Sequence, residues 1–381
     1  MDFIPYGRQS IEQDDINAVV DVLKSDFLTQ GPKILEFEEA LASQVQSKYA
    51  AVVSNGTAAL HLAMLGMGLS AGEEVIMSPI TFVATANAVL YTGARPVFAD
   101  IDPFTFNISL EAIERAITPR TKGIVAVHMA GLPCDMEGIY ALAQKKGLFV
   151  IEDACHALGG EVKGAPVGFC RYSDCTVFSF HPIKHIAMGE GGAITTNSRD
   201  LFKRIELLRS HGVTKKAHEM LQNEGSWWYE MQALGFNYRV TEMQAALGHS
   251  QLKKLDSFIE RRREIAARYK EAFKDLSFLT FQQESPDQKN AYHLFAVQID
   301  FDFLGKTRTE VMNELKGKGI GTQVHYIPVY KQPYYQNMGY EQDFYSHAEA
   351  YYQKTLSLPM FPGMTDRDVQ RVVDSIFSIN T

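Results

Sequence analysis

The sequence has few cysteines and no excess of basic residues, and each shortage excludes a class of protein. Four cysteines in 381 residues, at Cys134, Cys155, Cys170 and Cys175, are too few and too unevenly spaced for a disulfide scaffold, and Cys170 and Cys175 lack the spacing of a zinc knuckle. A formal net charge of −8 argues against general nucleic-acid binding. We therefore expect buried or idle thiols, no metal centre and no nucleic-acid partner.

Long apolar runs are also missing. No stretch of about 18 uninterrupted apolar residues occurs anywhere in the chain. The N-terminal segment MDFIPYGRQS has no basic stretch followed by an apolar run, as a secretory signal would require. These two absences predict a cytoplasmic protein with no membrane partner.

What the chain does have is a regular alternation of strand-like and helical segments. From residue 49 to residue 152, the β-rich runs AAVVS, EVIMS, RPVFAD, KGIVAVH and LFVIED alternate with helical patterns. This alternation predicts an α/β fold with a mostly parallel central sheet that is buried on both faces. Ligands of such sheets bind at the carboxyl ends of the strands.

The length of the chain and a change of pattern near residue 240 predict two domains, because single cores rarely grow to this size. The segment TEMQAALGHSQLKKLDSFIERRREIAARYKEAF has helical periodicity throughout. We predict a large domain over residues 1–245, including an N-terminal arm. Residues 246–381 would form a smaller C-terminal α/β domain that begins with this long bridging helix and closes over the large one.

Three segments carry candidate functional groups at predicted strand ends. Lys184, in VFSFHPIKHIAMGEGGAITT, lies between an apolar run and a glycine-rich loop. A lysine in such a place is usually a solvated surface cation. In a partly dry pocket, however, it loses its proton more easily and becomes a nucleophile toward carbonyl groups. In VVSNGTAALHLA, residues 55–58 form either an ordinary capped turn or a phosphate site at a helix N-terminus. Asp153 directly follows an apolar strand, with Glu152 on the opposite face.

Together these groups are the three anchors that pyridoxal phosphate requires. The cofactor needs a phosphate site, a lysine that reacts with its aldehyde and a carboxylate that keeps its ring nitrogen protonated. Phe82 in PITFVATANAV would lie flat against the ring, and Ser179 would donate its hydroxyl to the phosphate. Taken singly, Phe82 is as well explained as a core residue and Ser179 as a turn residue.

With these residues, the chain resembles the DegT/DnrJ/EryC1/StrS sugar aminotransferases, which have the type I fold of pyridoxal-phosphate enzymes. The likeness extends over nearly the whole chain, from PYGRQSIEQDDINAVVDVL and LTQGPKILEFEEALA through SNGTAALHLA, TFVATANAV, IEDACHALGG, FSFHPIKHIAMGEGGAITT, LRSHG and GFNYRVTEMQAALG to VHYIPVY. The resemblance implies the following cofactor contacts: Lys184 as the Schiff-base lysine, Asp153 as the partner of the pyridinium, Gly56, Thr57, Ala58 and Ser179 around the phosphate, and Phe82 as the stacking aromatic.

The resemblance also implies a homodimer with shared active sites, because Asn237 stands where relatives reach the phosphate of the neighbouring subunit. Two positions depart from the usual pattern of the family. His156 occupies a place where many relatives have Gln in contact with the ring oxygen of the cofactor, and His185 stands where Asn is frequent after the lysine.

Within the family, CHALGG, FSFHPIKHI, LRSHG and VHYIPVY look most like transaminases that make UDP-4-amino-4,6-dideoxy-N-acetyl-β-L-altrosamine, a step toward pseudaminic acid. The implied substrates are a UDP-linked 4-keto-6-deoxy sugar and L-glutamate, with the cofactor alternating between pyridoxal 5'-phosphate and pyridoxamine 5'-phosphate. The implied substrate contacts are Tyr6, Asp26, Phe27, Leu28, Thr29, His325, Tyr326, Ile327 and Pro328.

Four other functions remain as alternatives. The first is a transaminase for another 4-keto or 3-keto nucleotide sugar. The second is a sugar dehydratase on the same fold, against which Lys184 argues, because dehydratases have His in place of this lysine. A non-catalytic nucleotide-sugar sensor would hold no chromophore. A nicotinamide-dependent dehydrogenase is suggested by the βαβ pattern alone, and the chain has no G-x-G-x-x-G after its first strand.

Overall fold

The protein is described here by a computed structural model that covers residues 2–380. In chain order, its strands are β1 (Tyr49–Val53), β2 (Glu74–Met77), β3 (Arg95–Phe98), β4 (Thr121–Val127), β5 (Phe149–Asp153), β6 (Glu161–Val162), β7 (Ala165–Pro166), β8 (Cys175–Ser179), β9 (Gly192–Thr196), β10 (Val213–Thr214), β11 (Glu230–Met231), β12 (Leu279–Phe281), β13 (Gln288–Lys289), β14 (Phe295–Ile299) and β15 (Thr355–Leu358).

The helices connect and cover these strands. They are α1 (Gln13–Leu23), α2 (Pro32–Gln44), α3 (Gly56–Gly66), α4 (Val83–Leu90), α5 (Leu110–Ala116), α6 (Met136–Lys146), α7 (Arg199–Leu208), α8 (Glu242–Leu252), α9 (Leu255–Phe273), α10 (Arg308–Gly317), α11 (Pro333–Tyr335), α12 (Ser346–Lys354) and α13 (Asp366–Phe377).

A seven-stranded sheet with the order β1-β9-β8-β5-β4-β2-β3 forms the centre of the larger part of the chain. The pairs from β8 to β3 are parallel, and β9 runs antiparallel to both of its neighbours. The predicted α/β fold with a mostly parallel central sheet is confirmed, and the five predicted strands correspond to β1 to β5.

Both faces of this sheet are buried, as the nearly continuous apolar strands predict. Alternate residues of a strand point to opposite faces. Val125 of β4 packs with Leu62 of α3 in one core cluster, whereas the adjacent Ile124 packs with Ile139 of α6 in another. The helices on both faces leave the carboxyl ends of the parallel strands as the open edge of the sheet.

The helical segment after residue 240 consists of two helices instead of the single long helix that its periodicity predicts. The break falls at Lys253 and Lys254, between α8 and α9. Asp15 of α1 explains it, because its carboxylate accepts hydrogen bonds from Ser250, Gln251 and Lys254 at 2.6–2.9 Å and holds the end of α8 against α1. No Gly or Pro marks this break in the sequence.

The C-terminal part is built on the antiparallel sheet β12-β14-β15. Helix α9 leads into it, because Ile259 belongs to a core cluster of the larger part and Tyr269 to the C-terminal core. Ile4 also joins that C-terminal core and pairs with Ile320. The predicted domain boundary at 245/246 falls inside α8 and stays a prediction. The outer ends of the two predicted domains, residues 1 and 381, lie outside the described residues.

Two further features bear on the class of protein. Between residues 2 and 380, none of the helices combines the length and the apolar character that crossing a membrane would need. All four cysteines carry free thiols; Cys134, Cys170 and Cys175 are buried, whereas Cys155 lines the cavity described next.

Candidate active site

A cavity of about 940 Å³ opens at the carboxyl ends of the parallel strands. The residues that follow β1, β2 and β8 contribute to its walls, as do the last residues of β4 and β5. This is the edge at which open α/β sheets bind ligands. Twelve of the residues expected to bind cofactor or substrate line it: Tyr6, Gly56, Thr57, Ala58, Phe82, Asp153, His156, Ser179, Lys184, His325, Tyr326 and Ile327.

The other expected site residues lie outside the walls of this cavity. The segment Asp26 to Thr29 is exposed between α1 and α2, and Asn237 is exposed next to Tyr238, which does line the cavity. Pro328 directly follows the lining residue Ile327 without contributing to the wall itself.

The N-terminus of α3 forms one wall of the cavity. Asn55 caps this helix, and its side-chain oxygen accepts a hydrogen bond from the Ala58 amide at 2.8 Å. The Ala58 amide is thus engaged, whereas the first-turn amides of Gly56 and Thr57 have no partner within their own helix. Gly56 permits the close approach of β8, because a Cβ at this position would lie 2.9 Å from the Ser179 Cβ. The result is an anion site with a hydroxyl beside it.

Asp153 is held firmly at the end of β5. One carboxylate oxygen accepts a hydrogen bond from the Thr85 hydroxyl at 2.7 Å, and the other accepts from the Cys155 amide at 3.2 Å. Thr85 in turn contacts the Thr81 hydroxyl at 2.8 Å. A buried carboxylate that is fixed in this way offers a directed negative charge to a ligand in the cavity.

Glu152 points to the opposite face, as expected, and takes no part in the cavity. Its carboxylate accepts hydrogen bonds from Ser173 at 2.5 Å and Thr176 at 2.9 Å and lies 2.9 Å from His128 Nε2. Burial alone would raise the pKa of Glu152, but the hydrogen bonds and the attraction of His128 outweigh it and lower this pKa. Glu152 is therefore an ionised structural residue.

Lys184 brings an amine into the same cavity. Burial lowers its pKa to about 8, although Cys155 and Asp153 favour its charged form. Its Nζ lies 3.4 Å from Nε2 of His293, a residue that the sequence motifs did not single out. Near neutral pH, a much larger fraction of this amine is unprotonated than in an exposed lysine, and this fraction can act as a nucleophile or a base.

Neutral histidines surround this amine. Burial, followed by the charge of Lys184, holds the pKa of His156 and of His293 well below the usual range. His156 Nε2 lies 3.0 Å from the Tyr326 hydroxyl, and the ring of His325 lies 5.4 Å from that of Tyr6. His185 turns away from the amine and contacts the Ala291 carbonyl oxygen at 3.1 Å.

The residues that line the cavity fit pyridoxal phosphate. The α3 N-terminus and Ser179 suit its phosphate, Lys184 suits its aldehyde and Asp153 suits its ring nitrogen. His156 supplies an independent sign, because its buried Nδ1 has no hydrogen-bond partner within residues 2–380 and remains available to a ligand. The exposed ring of Phe82 lines the cavity at the start of α4.

Comparisons with known proteins agree with this fit. The model of the DegT/DnrJ/EryC1/StrS aminotransferase family matches residues 9–377. The spore coat polysaccharide biosynthesis protein SpsC of Bacillus subtilis (strain 168) is 44% identical over 379 residues, which are 99% of this chain and 97% of SpsC.

Two solved structures superpose over almost the entire chain. Helicobacter pylori PseC, an aminotransferase involved in the biosynthesis of pseudoaminic acid, has a TM-score of 0.91 and 35% identity, with 99% of each chain covered. The putative sugar aminotransferase Spr1654 from Streptococcus pneumoniae, in its PMP form, has a TM-score of 0.92 and 29% identity, again with 99% of each chain covered, and its PLP form also matches.

Proposed function

The chain belongs to the DegT/DnrJ/EryC1/StrS aminotransferase family. It is therefore a pyridoxal-phosphate-dependent nucleotide-sugar aminotransferase with the type I fold. From this premise, we propose the following amino donor and sugar acceptor. It moves the amino group of L-glutamate to C4 of a UDP-linked 4-keto-6-deoxy sugar. The product lies on the route to pseudaminic acid.

One observation carries the chemistry: the Lys184 amine, the Asp153 carboxylate and the N-terminus of α3 face one cavity. When bound, pyridoxal phosphate supplies a protonated ring that stabilises negative charge on the carbon next to the transferred nitrogen. Asp153 would keep that ring nitrogen protonated, and Lys184 would hold the cofactor covalently through its aldehyde. The Lys184 Nζ would also serve as the base that accepts the proton from the α-carbon of the amino donor.

The remaining cavity residues bind and orient. The amides of Gly56 and Thr57, together with the Ser179 hydroxyl, hold the phosphate at the positive end of α3. Phe82 would cover one face of the ring, and the Nδ1 of His156 would be available to the ring oxygen. A cavity of about 940 Å³ is at the upper end of the range for small-molecule sites, which suits a cofactor together with the sugar of a nucleotide sugar.

The choice of sugar rests on the likeness of CHALGG, FSFHPIKHI, LRSHG and VHYIPVY to the pseudaminic acid transaminases, supported by the 35% identity to PseC. The 44% identity to SpsC favours a second candidate, the amination of a different keto nucleotide sugar for a surface polysaccharide. In either case, Tyr6 and the segment His325 to Pro328 contact the substrate. The lysine at position 184 argues against a dehydratase on this fold.

The enzyme is a homodimer in which each site takes residues from both subunits. Asn237 and the segment Asp26 to Thr29 are exposed and do not line the cavity of their own chain. Phe27, Leu28, Trp227 and Leu234 also leave large apolar side chains exposed. A second copy of the chain would cover this apolar surface and bring Asn237 to the phosphate of its site.

Visible absorption of the purified enzyme tests the proposal. L-glutamate should bleach the cofactor band and release one equivalent of 2-oxoglutarate, and the UDP-linked 4-keto-6-deoxy sugar should restore the band. Borohydride reduction and peptide mapping should place the cofactor on the peptide that contains Lys184.

Three outcomes would contradict parts of the proposal. A cofactor label on another lysine removes the assignment of Lys184. Restoration of the band by a different keto sugar, with no response to the expected one, supports the second candidate. A purified protein that takes up no chromophore would be the non-catalytic sensor.

A further inference from the structure

We infer that His293 is a positioning residue for Lys184: its Nε2 accepts a hydrogen bond from the lysine amine and fixes the place of that amine in the cavity. The two atoms are 3.4 Å apart, although the residues are 109 positions apart in the chain. The inference deepens the proposed function, because it rests on Lys184 as the residue that carries the cofactor.

The contact with Lys184 is the one hydrogen bond that the His293 ring makes within residues 2–380. His293 is only 3% exposed, and its Nδ1 has no partner in that part of the chain. A buried ring usually satisfies both nitrogens. The His293 ring leaves one nitrogen unsatisfied and directs the other at a reactive amine. This arrangement favours a role in holding the amine over a role in packing alone.

The backbone next to His293 is held in a strained conformation. Tyr292, the preceding residue, has φ at 48°, a left-handed conformation that a bulky side chain rarely adopts. Arg262 on α9 is buried and donates hydrogen bonds to the carbonyl oxygens of Tyr292 at 3.0 Å and of His293 at 3.2 Å. Asn290 accepts a hydrogen bond from the Tyr292 amide at 2.7 Å. These contacts over-determine the strained turn that presents His293 to Lys184.

The charges around the pair make His293 an acceptor. Burial and the charge of Lys184 hold the pKa of His293 well below its usual range, and His156, His185 and Arg262 act in the same direction. The neutral ring has a lone pair on Nε2 when its proton is on Nδ1, so Nε2 can accept from the Lys184 ammonium. Cys155 and Asp153, which line the same cavity, favour the charged form of the amine.

A hydrogen bond to the ammonium stabilises it, so loss of the acceptor should lower the pKa of Lys184. By the usual strength of a hydrogen bond with one charged partner, the expected fall is about one to two units. The side chain of Gln can place an oxygen near the position of Nε2, whereas the shorter Asn reaches only the position of Nδ1. His293→Gln and His293→Asn therefore form a matched pair of polar variants.

The test follows recombination of pyridoxal phosphate with full-length protein freed of cofactor, from about pH 6 to about pH 10, around the ordinary pKa of the groups involved. The absorbance change on covalent attachment reports the fraction of Lys184 that is unprotonated. We expect a midpoint near the pKa of about 8 in the unsubstituted protein. His293→Gln should keep this midpoint, and His293→Asn should lower it by about one to two units. Pyridoxal phosphate itself titrates in the same way with all three proteins, so a difference between their midpoints comes from the protein.

Thermal unfolding separates this role from a structural one. A purely structural His293 predicts a lower melting temperature in both variants and no change in either midpoint, and that result would overturn the inference. Equal shifts in Gln and Asn would overturn it as well. If the unsubstituted protein attaches cofactor at another lysine, or at none, the proposed function fails first, and this outcome is distinguishable because it does not depend on residue 293.

Discussion

Two consecutive carboxylates at the end of β5 have opposite surroundings, and this difference separates chemistry from structure. Glu152 accepts hydrogen bonds from Ser173 and Thr176 beneath the sheet, where His128 also contacts it. Asp153 faces the cavity and is fixed by the Thr85 hydroxyl. Adjacent residues of a strand point to opposite faces, so one position decides which carboxylate meets the ligand.

Replacement of Asp153 by Asn should keep the cofactor but slow its reaction with glutamate. The variant preserves the shape of the site and removes the charge opposite the ring nitrogen. Loss of an electrostatic contribution of this kind typically costs about a hundredfold or more in rate. The rate of this half-reaction is measured as the single-turnover bleaching of the cofactor absorption band by glutamate.

Glu152→Gln is the matched control for Asp153→Asn. It should lower the free energy of unfolding, because a buried ionic hydrogen-bond network loses its charge, and leave the bleaching rate within a few-fold of the original. A near-native bleaching rate in Asp153→Asn would show that Asp153 is structural.

At the same scale, sequence motifs predicted the residues of the cavity that lie within a few positions of a strand end. They identified Lys184, Asp153 and the turn at Gly56. They did not identify Thr85 or His293, because these residues meet Asp153 and Lys184 across 68 and 109 positions of sequence. Thr85 lies within the motif TFVATANAV, but nothing local marks it as the partner of Asp153, and His293 belongs to none of the motifs. Only the packing of α4 and of the loop before β14 brings these residues to Asp153 and Lys184.

At the scale of elements, the first turn of α3 links stability to cofactor binding. Asn55 caps the helix through the Ala58 amide, and the same turn presents the amides of Gly56 and Thr57 to the cavity. An N-cap of this kind contributes about 1 kcal/mol to helix stability. The cap therefore holds the proposed phosphate site in order before any ligand binds.

Asn55→Ala should cost about 1 kcal/mol of unfolding free energy and weaken pyridoxal-phosphate affinity by about fivefold. The affinity falls because the ligand must then order the first turn. Equilibrium dialysis in the Lys184→Ala background, where binding is reversible, gives the dissociation constant. An unchanged or tighter constant would contradict the prediction, because it would mean that the freed Ala58 amide binds the phosphate itself.

Thr365→Ala serves as the control for this cap. Thr365 caps α13 in the C-terminal part through the Asp368 amide at 3.1 Å, and it takes no part in the wall of the cavity. The control should lose similar stability and no affinity.

Periodicity predicted β1 to β5 well because each is a short apolar run between helical patterns. It predicted the helical segment after residue 240 less well. The break between α8 and α9 depends on Asp15, which is more than two hundred residues away in sequence and holds Lys254. A contact of this kind leaves no local mark, whereas Gly and Pro would have done so.

At the scale of the whole molecule, the cavity draws on both parts of the chain. Asp153 ends β5 of the large sheet and Lys184 lies in the loop between β8 and β9, whereas His325 and Tyr326 come from the C-terminal part. Asn237 stays outside, exposed, although its neighbour Tyr238 lines the cavity. In an extended segment, adjacent side chains point in opposite directions. The backbone that places Tyr238 in the wall of the cavity thus leaves Asn237 exposed outside it, where the proposed second subunit would meet it.

Subunit mixing tests whether the active site is shared. Lys184→Ala and Asn237→Asp should each be inactive, the second because it places a negative charge against the phosphate. In a mixed dimer with shared sites, one site carries both lesions and the other carries neither, so activity should partly return after exchange. Mass spectrometry of the mixture confirms that exchange has taken place.

The matched control mixes Lys184→Ala with Asp153→Asn. Lys184 and Asp153 line the same cavity of one chain, so every site in that mixed dimer keeps one lesion and activity should not rise above the residual level of Asp153→Asn. If Asn237 served its own chain, the first mixture would behave like this control. Demonstrated exchange without recovery would therefore place Asn237 outside the shared site, and the exposed segment from Asp26 to Thr29 would need a different partner.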